Sequence, residues 1–382
     1  MLLFLIDRLL ARWPDLCDPT AWSKITPRAG LAALASFALA LVCGPQLIAW
    51  LGARFREPNK SASPEVVRLH QAKSATPTMG GLFIVGGIVA AALLLGDWSN
   101  PYLPIALLLV VSLAVLGAYD DLVKMTTASC GAPARTKLIA QTAIGLSAAV
   151  MIYRLHDRVD GGLDLSIPFT QARIALGWWF VPLATLVIVA SSNAVNLADG
   201  LDGLAGGCLV CATGAMALVV YAAGHAAWAA HLHIAHIPGA GEMAVVAAAM
   251  IGGLLGFLWF NCHPASVFMG DTGSLPLGGL LGLLAVISRQ ELLLVAIGGV
   301  FVVEAASVIM QVIVYRWRKR RILLCAPVHH HFQLRGWSED KIVVRFWIAG
   351  ALCAIVGLAG LKWRPAAAPE TPQLTAVQRV TR

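Results

Sequence analysis

Apolar runs of about 20 residues recur roughly ten times along the chain. A helix rises 1.5 Å per residue, so each run is long enough to cross a hydrocarbon layer of about 30 Å. In that solvent every backbone N–H and C=O must be paired internally, which helices achieve within one segment. The expected fold is an all-α polytopic membrane protein. Its spans are expected at approximately 29–52, 79–97, 102–119, 136–154, 174–191, 197–222, 242–261, 274–288, 291–316 and 343–362. Composition agrees: 58% of the 382 residues are hydrophobic and 13% charged, too few polar residues for a soluble domain of this size. Three regions follow: an N-terminal interfacial segment over 1–28, a ten-helix catalytic domain over 29–363, and a disordered Pro/Ala-rich tail over 364–382.

The net charge of +8 gathers in a few loops, so it marks topology rather than nucleic-acid binding. Arg54, Arg56, Lys60, Arg68 and Lys73 follow the first span, Lys124, Arg135 and Lys137 the third, and a run from Arg316 to Arg345 the ninth. These alternate loops share one face, expected to be the cytoplasm, with both termini outside. Eight scattered cysteines form no metal or disulfide framework; Cys208 and Cys211 lie inside an apolar run and are expected to pack as small core residues.

The polar motifs fall on that same face. "HQAKSATPTMGG" precedes the second span, "GAYDD" ends the third, and "SSNAVNLADGLDG" joins the fifth to the sixth. "FNCHPASVFMGDTGS" joins the seventh to the eighth, and "PVHHHFQLRGW" lies between the ninth and tenth. Five stretches remote in sequence thus converge on an expected active-site cleft. Acids at membrane depth cost roughly 2.5–3.5 kcal/mol each on insertion scales, so they call for a reason. Asp120 and Asp121 end an apolar run, where the helix dipole disfavours them. Asn196, Asp199 and Asp202, spaced i, i+3, i+6, are expected along one side of the sixth helix's first turns. Capping would explain one of these acids but not two.

Asp271 lies between glycines at a helix start, a place that favours phosphate but where a carboxylate needs a bridging cation. Mg²⁺ suits a site with few carboxylates plus phosphate oxygens. With Lys73, Lys124 and Lys137 as phosphate partners, the pattern points to phosphoryl transfer. The chain carries no Walker or kinase motif that would suggest an ATPase. His329, His330 and His331 suit substrate recognition or acid–base work better than zinc binding. Phe268 suits either stacking on a nucleobase or insertion into the membrane interface.

"PTMGG", "DD", "NAVNLADGLDGLA", "FMGDTGS" and "HHH", in this order and spacing over residues 1–363, resemble the phospho-N-acetylmuramoyl-pentapeptide transferases. These belong to the polyprenyl-phosphate N-acetylhexosamine-1-phosphate transferases. The resemblance implies transfer of phospho-MurNAc-pentapeptide from UDP-MurNAc-pentapeptide to undecaprenyl phosphate, releasing UMP. It implies a Mg²⁺ cofactor, a bacterial inner-membrane location, the lipid bilayer as partner, no nucleic acid, and a homodimer as the family's frequent state. It further implies that Asp271 is the principal metal ligand and that Asp120, with Asp121 beside it, orients or deprotonates the lipid phosphate. Asp199 would complete the acidic centre, and Lys73, Lys124 and Lys137 would hold phosphates. Phe268 would stack on uracil while Asn261, Gly200 and Asp202 read its edge. Asn196 and His330 would complete the polar wall, and His329 and His331 would contact substrate. Ala198 stands where the family commonly has Thr, and Gln333 where it has an acid.

Two other functions are consistent with part of the pattern. A polyprenyl-phosphate GlcNAc-1-phosphate transferase shares the acidic motifs but is less well matched by the third histidine and "FQLRGW". An ion-coupled transporter also carries intramembrane acids, but here they gather at one face instead of lining a path.

Overall fold

The computed structural model describes residues 24–54, 76–127, 131–170 and 172–362. Lys73, most of the 1–28 segment and the 364–382 tail lie outside the described residues. The described chain is almost wholly helical. Its long helices are α1 (Ile25–Arg54), α2 (Gly81–Leu95), α3 (Tyr102–Thr126), α4 (Ala134–His156), α5 (Phe180–Ala198) and α6 (Leu204–Ala223). After the short α7 (Ala226–Leu232) come α8 (Met243–Asn261), α9 (Asp271–Ile287), α10 (Glu291–Ile297) and α11 (Gly299–Arg318). The short α12 (Val328–Leu334) and the long α13 (Glu339–Lys362) complete the fold. A hairpin pairs β1 (Asp164–Ser166) antiparallel with β2 (Arg173–Ala175), Leu165 opposite Ile174.

Eight helices among the described residues are long and apolar enough to cross a membrane; α2 and α9 are shorter apolar helices. The protein is therefore an all-α polytopic membrane protein. At 17 residues, α9 rises only about 26 Å. Every residue of α9 is buried, so protein rather than lipid surrounds it. It packs mainly against α5 and α3. Close approach there depends on missing side chains. A Cβ on Gly117 of α3 would sit 2.1 Å from the Asp271 carbonyl oxygen, and one on Gly81 2.1 Å from Gly273 Cα. Glycine at these crossings lets three helices converge at the start of α9.

The opposite end of the bundle is tied by a buried ion pair. The Arg28 guanidinium donates to both carboxylate oxygens of Glu242, at 2.6 and 2.8 Å, and to the Leu95 carbonyl at 3.1 Å. The Asp97 backbone N–H donates to the same Glu242 Oε1. α1, the end of α2 and the start of α8 meet at this point.

Several sequence expectations need correction. The expected ninth span, 291–316, is two helices, α10 and α11, interrupted at the Gly298–Gly299 pair, a frequent cause of helix breaks. α3 runs on to Thr126, so Asp120 and Asp121 lie inside its last turns rather than beyond its end. The expected i, i+3, i+6 face at Asn196, Asp199 and Asp202 does not exist. Asn196 belongs to the last turn of α5, Asp199 is the residue that ends α5, and Asp202 lies in the following turn. Gly203, with φ +79°, reverses the chain before α6 begins at Leu204. Helical spacing could not reveal this turn, because the apolar pattern runs on through Leu201 and Leu204. The histidine triplet forms the short helix α12 instead of a loop.

Candidate active site

α3, α4, α5 and α9 deliver one charged cluster. Oxygens of Asp120, Asp121 and Asp271 lie within 4.8 Å of one another, and all three residues are buried. Lys124 Nζ sits among them, 2.9 Å from Asp120 Oδ2, 3.2 Å from Asp121 Oδ1 and 2.9 Å from Asp271 Oδ1. Lys137 of α4 pairs with Asp271 Oδ2 and reaches Asp120 Oδ2 at 3.6 Å. From α5, Asn196 Nδ2 donates to Asp271 Oδ1 at 2.7 Å and to Ser274 Oγ at 2.8 Å. Three carboxyl groups and two ammonium groups thus share one buried setting, with carboxylate oxygens of three residues facing a common point. Such a group of hard oxygen donors suits a divalent cation.

The three acids have different partners. Asp121 accepts from the backbone N–H groups of Asp271 and Thr272, at 3.1 and 2.9 Å, and from the Thr272 hydroxyl at 2.8 Å. Its carboxylate thus caps the N-terminus of α9 from another helix, where the dipole favours negative charge. Asp120 Oδ1 accepts the Ala132 N–H at 3.0 Å, its Oδ2 meets Lys124 and Lys137, and its carboxyl group also hydrogen-bonds that of Asp271. Asp120 and Asp271 are therefore the acids with capacity for metal or substrate.

The "PTMGG" stretch contributes backbone. The Phe268 N–H donates to Pro77 O, and the N–H groups of Gly80 and Gly81 donate to Phe268 O and Met269 O, all at 2.8–2.9 Å. This clamp sets Phe268, which is half-buried, and the Gly270 turn, where φ is +70°. A Cβ on Gly270 would sit 2.6 Å from Asp121 Oδ2.

The remaining expected site residues form a second group. Asn261 is committed to the fold: its Oδ1 accepts the Gly203 N–H at 2.9 Å and its Nδ2 donates to Val267 O at 2.8 Å. Asp202 Oδ2 accepts from His263 Nδ1 at 2.9 Å and from the Ala265 N–H at 3.2 Å, and the Asp202 N–H donates to Glu339 Oε1. Asp199, half-buried at the end of α5, is outside the three-carboxylate group. His329 is fully buried, with Nδ1 3.1 Å from Glu304 Oε2 of α11. Its Nε2 packs against Gly200, where a Cβ would lie 2.3 Å away. The His330 ring meets that of His329 at 4.2 Å between centroids, and its Nδ1 bonds Gln333 Oε1 at 2.8 Å. His331 Nδ1 accepts the Leu324 N–H at 3.1 Å. Desolvation, aided by the Arg335 cation, holds the His331 pKa below the ordinary imidazole value, which favours this neutral acceptor form.

Sequence reasoning missed Glu304, Thr272, His263 and Glu339. Glu304 carried a signal, as the one carboxylate inside the apolar run from Leu292 to Tyr315. The others carried none, since they act through contacts with distant elements.

Comparison with known proteins accords with this arrangement. Residues 103–289, which hold all three acids, match the glycosyl transferase family 4 model. A phospho-N-acetylmuramoyl-pentapeptide-transferase of Rickettsia felis is 43% identical over 345 residues, covering 89% of this chain and 94% of the relative. The chain belongs to the phospho-N-acetylmuramoyl-pentapeptide-transferase family. Proteins of that name from Leptospira biflexa and Thermodesulfovibrio yellowstonii are also 43% identical, over 353 and 343 residues and 95% and 94% of their lengths. The family assignment thus covers nearly the whole transmembrane bundle, beyond the acidic centre alone.

Proposed function

We propose that the protein transfers phospho-MurNAc-pentapeptide from UDP-MurNAc-pentapeptide to undecaprenyl phosphate at the cytoplasmic face of a bacterial inner membrane. The observation that carries this reading is the meeting of Asp120, Asp121 and Asp271 with Lys124 and Lys137 at one end of the bundle. Two ammonium groups at 16% and 19% side-chain exposure can both be reached by phosphate.

In the proposed step an oxygen of the lipid phosphate attacks the β-phosphorus of the nucleotide. The bond from that phosphorus to the bridging oxygen breaks, and UMP leaves with the electron pair. One phosphoanhydride replaces another, so the reaction is near balance. Lys124 and Lys137 align the phosphates and offset their charge, which supplies most of the catalysis in phosphoryl transfer. Asp120 Oδ2 orients the acceptor phosphate and takes its proton where one is present. Asn196 holds the Asp271 carboxylate in place, and Asp121 fixes the α9 terminus beneath it. The carboxyl oxygens of Asp271 and Asp120 would hold Mg²⁺, which when bound supplies Lewis-acid stabilisation of charge on the leaving group. Attack is direct, without an aspartyl intermediate. Phe268 contacts the uracil ring, and Asp199, Gly200, Asp202, His330 and His331 line the remainder of the substrate path, while Asn261 and His329 hold the turns that place them.

The test is incubation of the purified protein with UDP-MurNAc-pentapeptide and undecaprenyl phosphate, following UMP release before and after chelation and Mg²⁺ restoration. The expected result is UMP release that is lost on chelation and recovered on restoration. Equal turnover of UDP-GlcNAc would replace this reading with the GlcNAc-1-phosphate transferase.

A further inference from the structure

Asp202, His263 and Glu339 come together from three distant parts of the chain. Asp202 lies in the turn between α5 and α6, His263 just past the end of α8, and Glu339 at the start of α13. One side-chain atom from each lies within 4.8 Å of the others. His263 Nδ1 is 2.9 Å from Asp202 Oδ2 and 3.8 Å from Glu339 Oε2. An ionised carboxylate only accepts, so Nδ1 carries a proton and donates it to the bond with Asp202. A ring nitrogen used in this way has no lone pair left for a metal ion. The three side chains are a hydrogen-bonded group rather than an ion site.

The turn that carries Asp202 is also held through its backbone. Glu339 Oε1 accepts the Asp202 N–H at 2.9 Å, and Trp347 Nε1 of α13 donates to the Gly203 carbonyl at 3.0 Å. From α8, Asn261 Oδ1 accepts the Gly203 N–H at 2.9 Å. These bonds fix where residue 202 lies but not where its carboxylate points. That is set by His263 Nδ1 and the Ala265 N–H, which both donate to Oδ2. With 2% side-chain exposure, the Asp202 carboxylate depends on such donors, because a buried charge without hydrogen bonds is costly.

We infer that His263 and Glu339 are positioning residues for the nucleotide end of the donor. Glu339 sets the backbone of the α5–α6 turn, and His263 sets the direction of the Asp202 carboxylate. The inference rests on the proposed function, in which Asp202 lines the donor's path. It divides the work between two groups of side chains. The centre at Asp120, Asp121 and Asp271 acts on the phosphates, while this trio acts on binding of the uridine half. Loss of a positioning residue here weakens nucleotide binding and leaves turnover at saturation largely intact, the signature of binding shared by ground state and transition state.

The experiment measures UMP affinity by calorimetry, and kcat and KM for both substrates, in the full-length protein. The variants are His263→Asn, His263→Gln, Glu339→Gln and Glu339→Ala. An asparagine amide can place its NH₂ group where Nδ1 stands, whereas the longer glutamine amide corresponds to Nε2. Both amides are polar and close to imidazole in size, which spares the fold at this exposed position. His263→Gln should weaken UMP binding by about tenfold or more, as for loss of a hydrogen bond to a charged group, and raise the donor KM in parallel. The kcat and the KM for undecaprenyl phosphate should stay close to wild type. His263→Asn should recover most of the affinity. Glu339→Gln keeps an acceptor for the Asp202 N–H and should be milder than Glu339→Ala. Wild-type UMP affinity in His263→Gln and Glu339→Ala, or equal losses in His263→Gln and His263→Asn, overturns the inference. So does a defect confined to kcat. Stoichiometric Zn²⁺ binding by wild type that His263→Gln abolishes overturns it as well, by making the trio an ion site. Wild type that neither binds UMP nor releases it sinks the proposed function itself, a result seen without any variant and so distinct from all of these.

Discussion

Asp121 and Thr272 are joined twice: the Thr272 N–H and the Thr272 hydroxyl both donate to Asp121 Oδ2, at 2.9 and 2.8 Å. With the Asp271 N–H on the other oxygen, this carboxylate anchors α9 in the place where its first residue faces the lysines. Asp121→Asn presents an NH₂ group to a surface of donors, whichever way the amide turns. Stability should fall by about 2 kcal/mol and turnover by a factor on the order of 10², because buried donors lose their acceptor and Asp271 shifts. Thr272→Ser, which keeps both donors, should stay close to wild type. Thermal unfolding in detergent and UMP release measure the two effects. Wild-type values for Asp121→Asn would show that the cap is dispensable.

Gly117 tests the same anchor from the α3 side. Gly117→Ala places a methyl group against the Asp271 carbonyl and should cost about 1–3 kcal/mol by overpacking, together with at least a tenfold loss of turnover. Gly86→Ala is the control, since nothing lies within 4 Å of its Cβ position. Equal behaviour of the two variants would remove helix crossing as the reason for glycine at 117.

Asp271→Asn should lower Mg²⁺-dependent turnover by a factor on the order of 10² or more, as for loss of a main electrostatic stabiliser. Titrating Mg²⁺ against UMP release separates weakened metal binding, which excess metal restores, from a lost catalytic charge, which it does not. Unaltered rates at every Mg²⁺ concentration would exclude Asp271 from the metal site.

The Arg28–Glu242 pair is remote from the chemistry and should affect stability alone. Glu242→Gln leaves a buried guanidinium short of its counter-charge and should cost about 3 kcal/mol, lowering the melting temperature. Turnover measured below that temperature should match wild type. Arg28→Met with Glu242→Leu should recover much of the loss, since an apolar pair needs no charge compensation. A double variant less stable than either single one would contradict this account.

Orientation can be read from accessibility. In a background without the eight native cysteines, Ser338→Cys, beside α13 at the end of the bundle that carries the acids, should resist membrane-impermeant thiol reagents in intact cells. Asp160→Cys, at the opposite end, should react once the reagent passes any outer envelope. The reverse pattern would turn the proposed site away from the cytoplasm.

The sequence alone was enough to specify an all-α membrane bundle, because about twenty apolar residues have only one inexpensive way to satisfy their backbone in lipid. It also marked Asp120, Asp121, Asp271, Lys124, Lys137 and Asn196, since charge at membrane depth is costly unless it is paired. Which partner each residue took was a matter of tertiary structure. Asp120 and Asp121 are neighbours in sequence and chemically identical, yet Asp120 meets both Lys124 and Lys137 while Asp121 reaches Lys124 alone of the two and caps α9, because adjacent helical positions point about 100° apart. The turn at Asp199–Gly203 and the break at Gly298 interrupt apolar patterns that look continuous, so spacing could not place them. Glu304 and His329, 25 residues apart, pair only because α11 and α12 pack together, a contact between distant segments with no local periodicity to announce it.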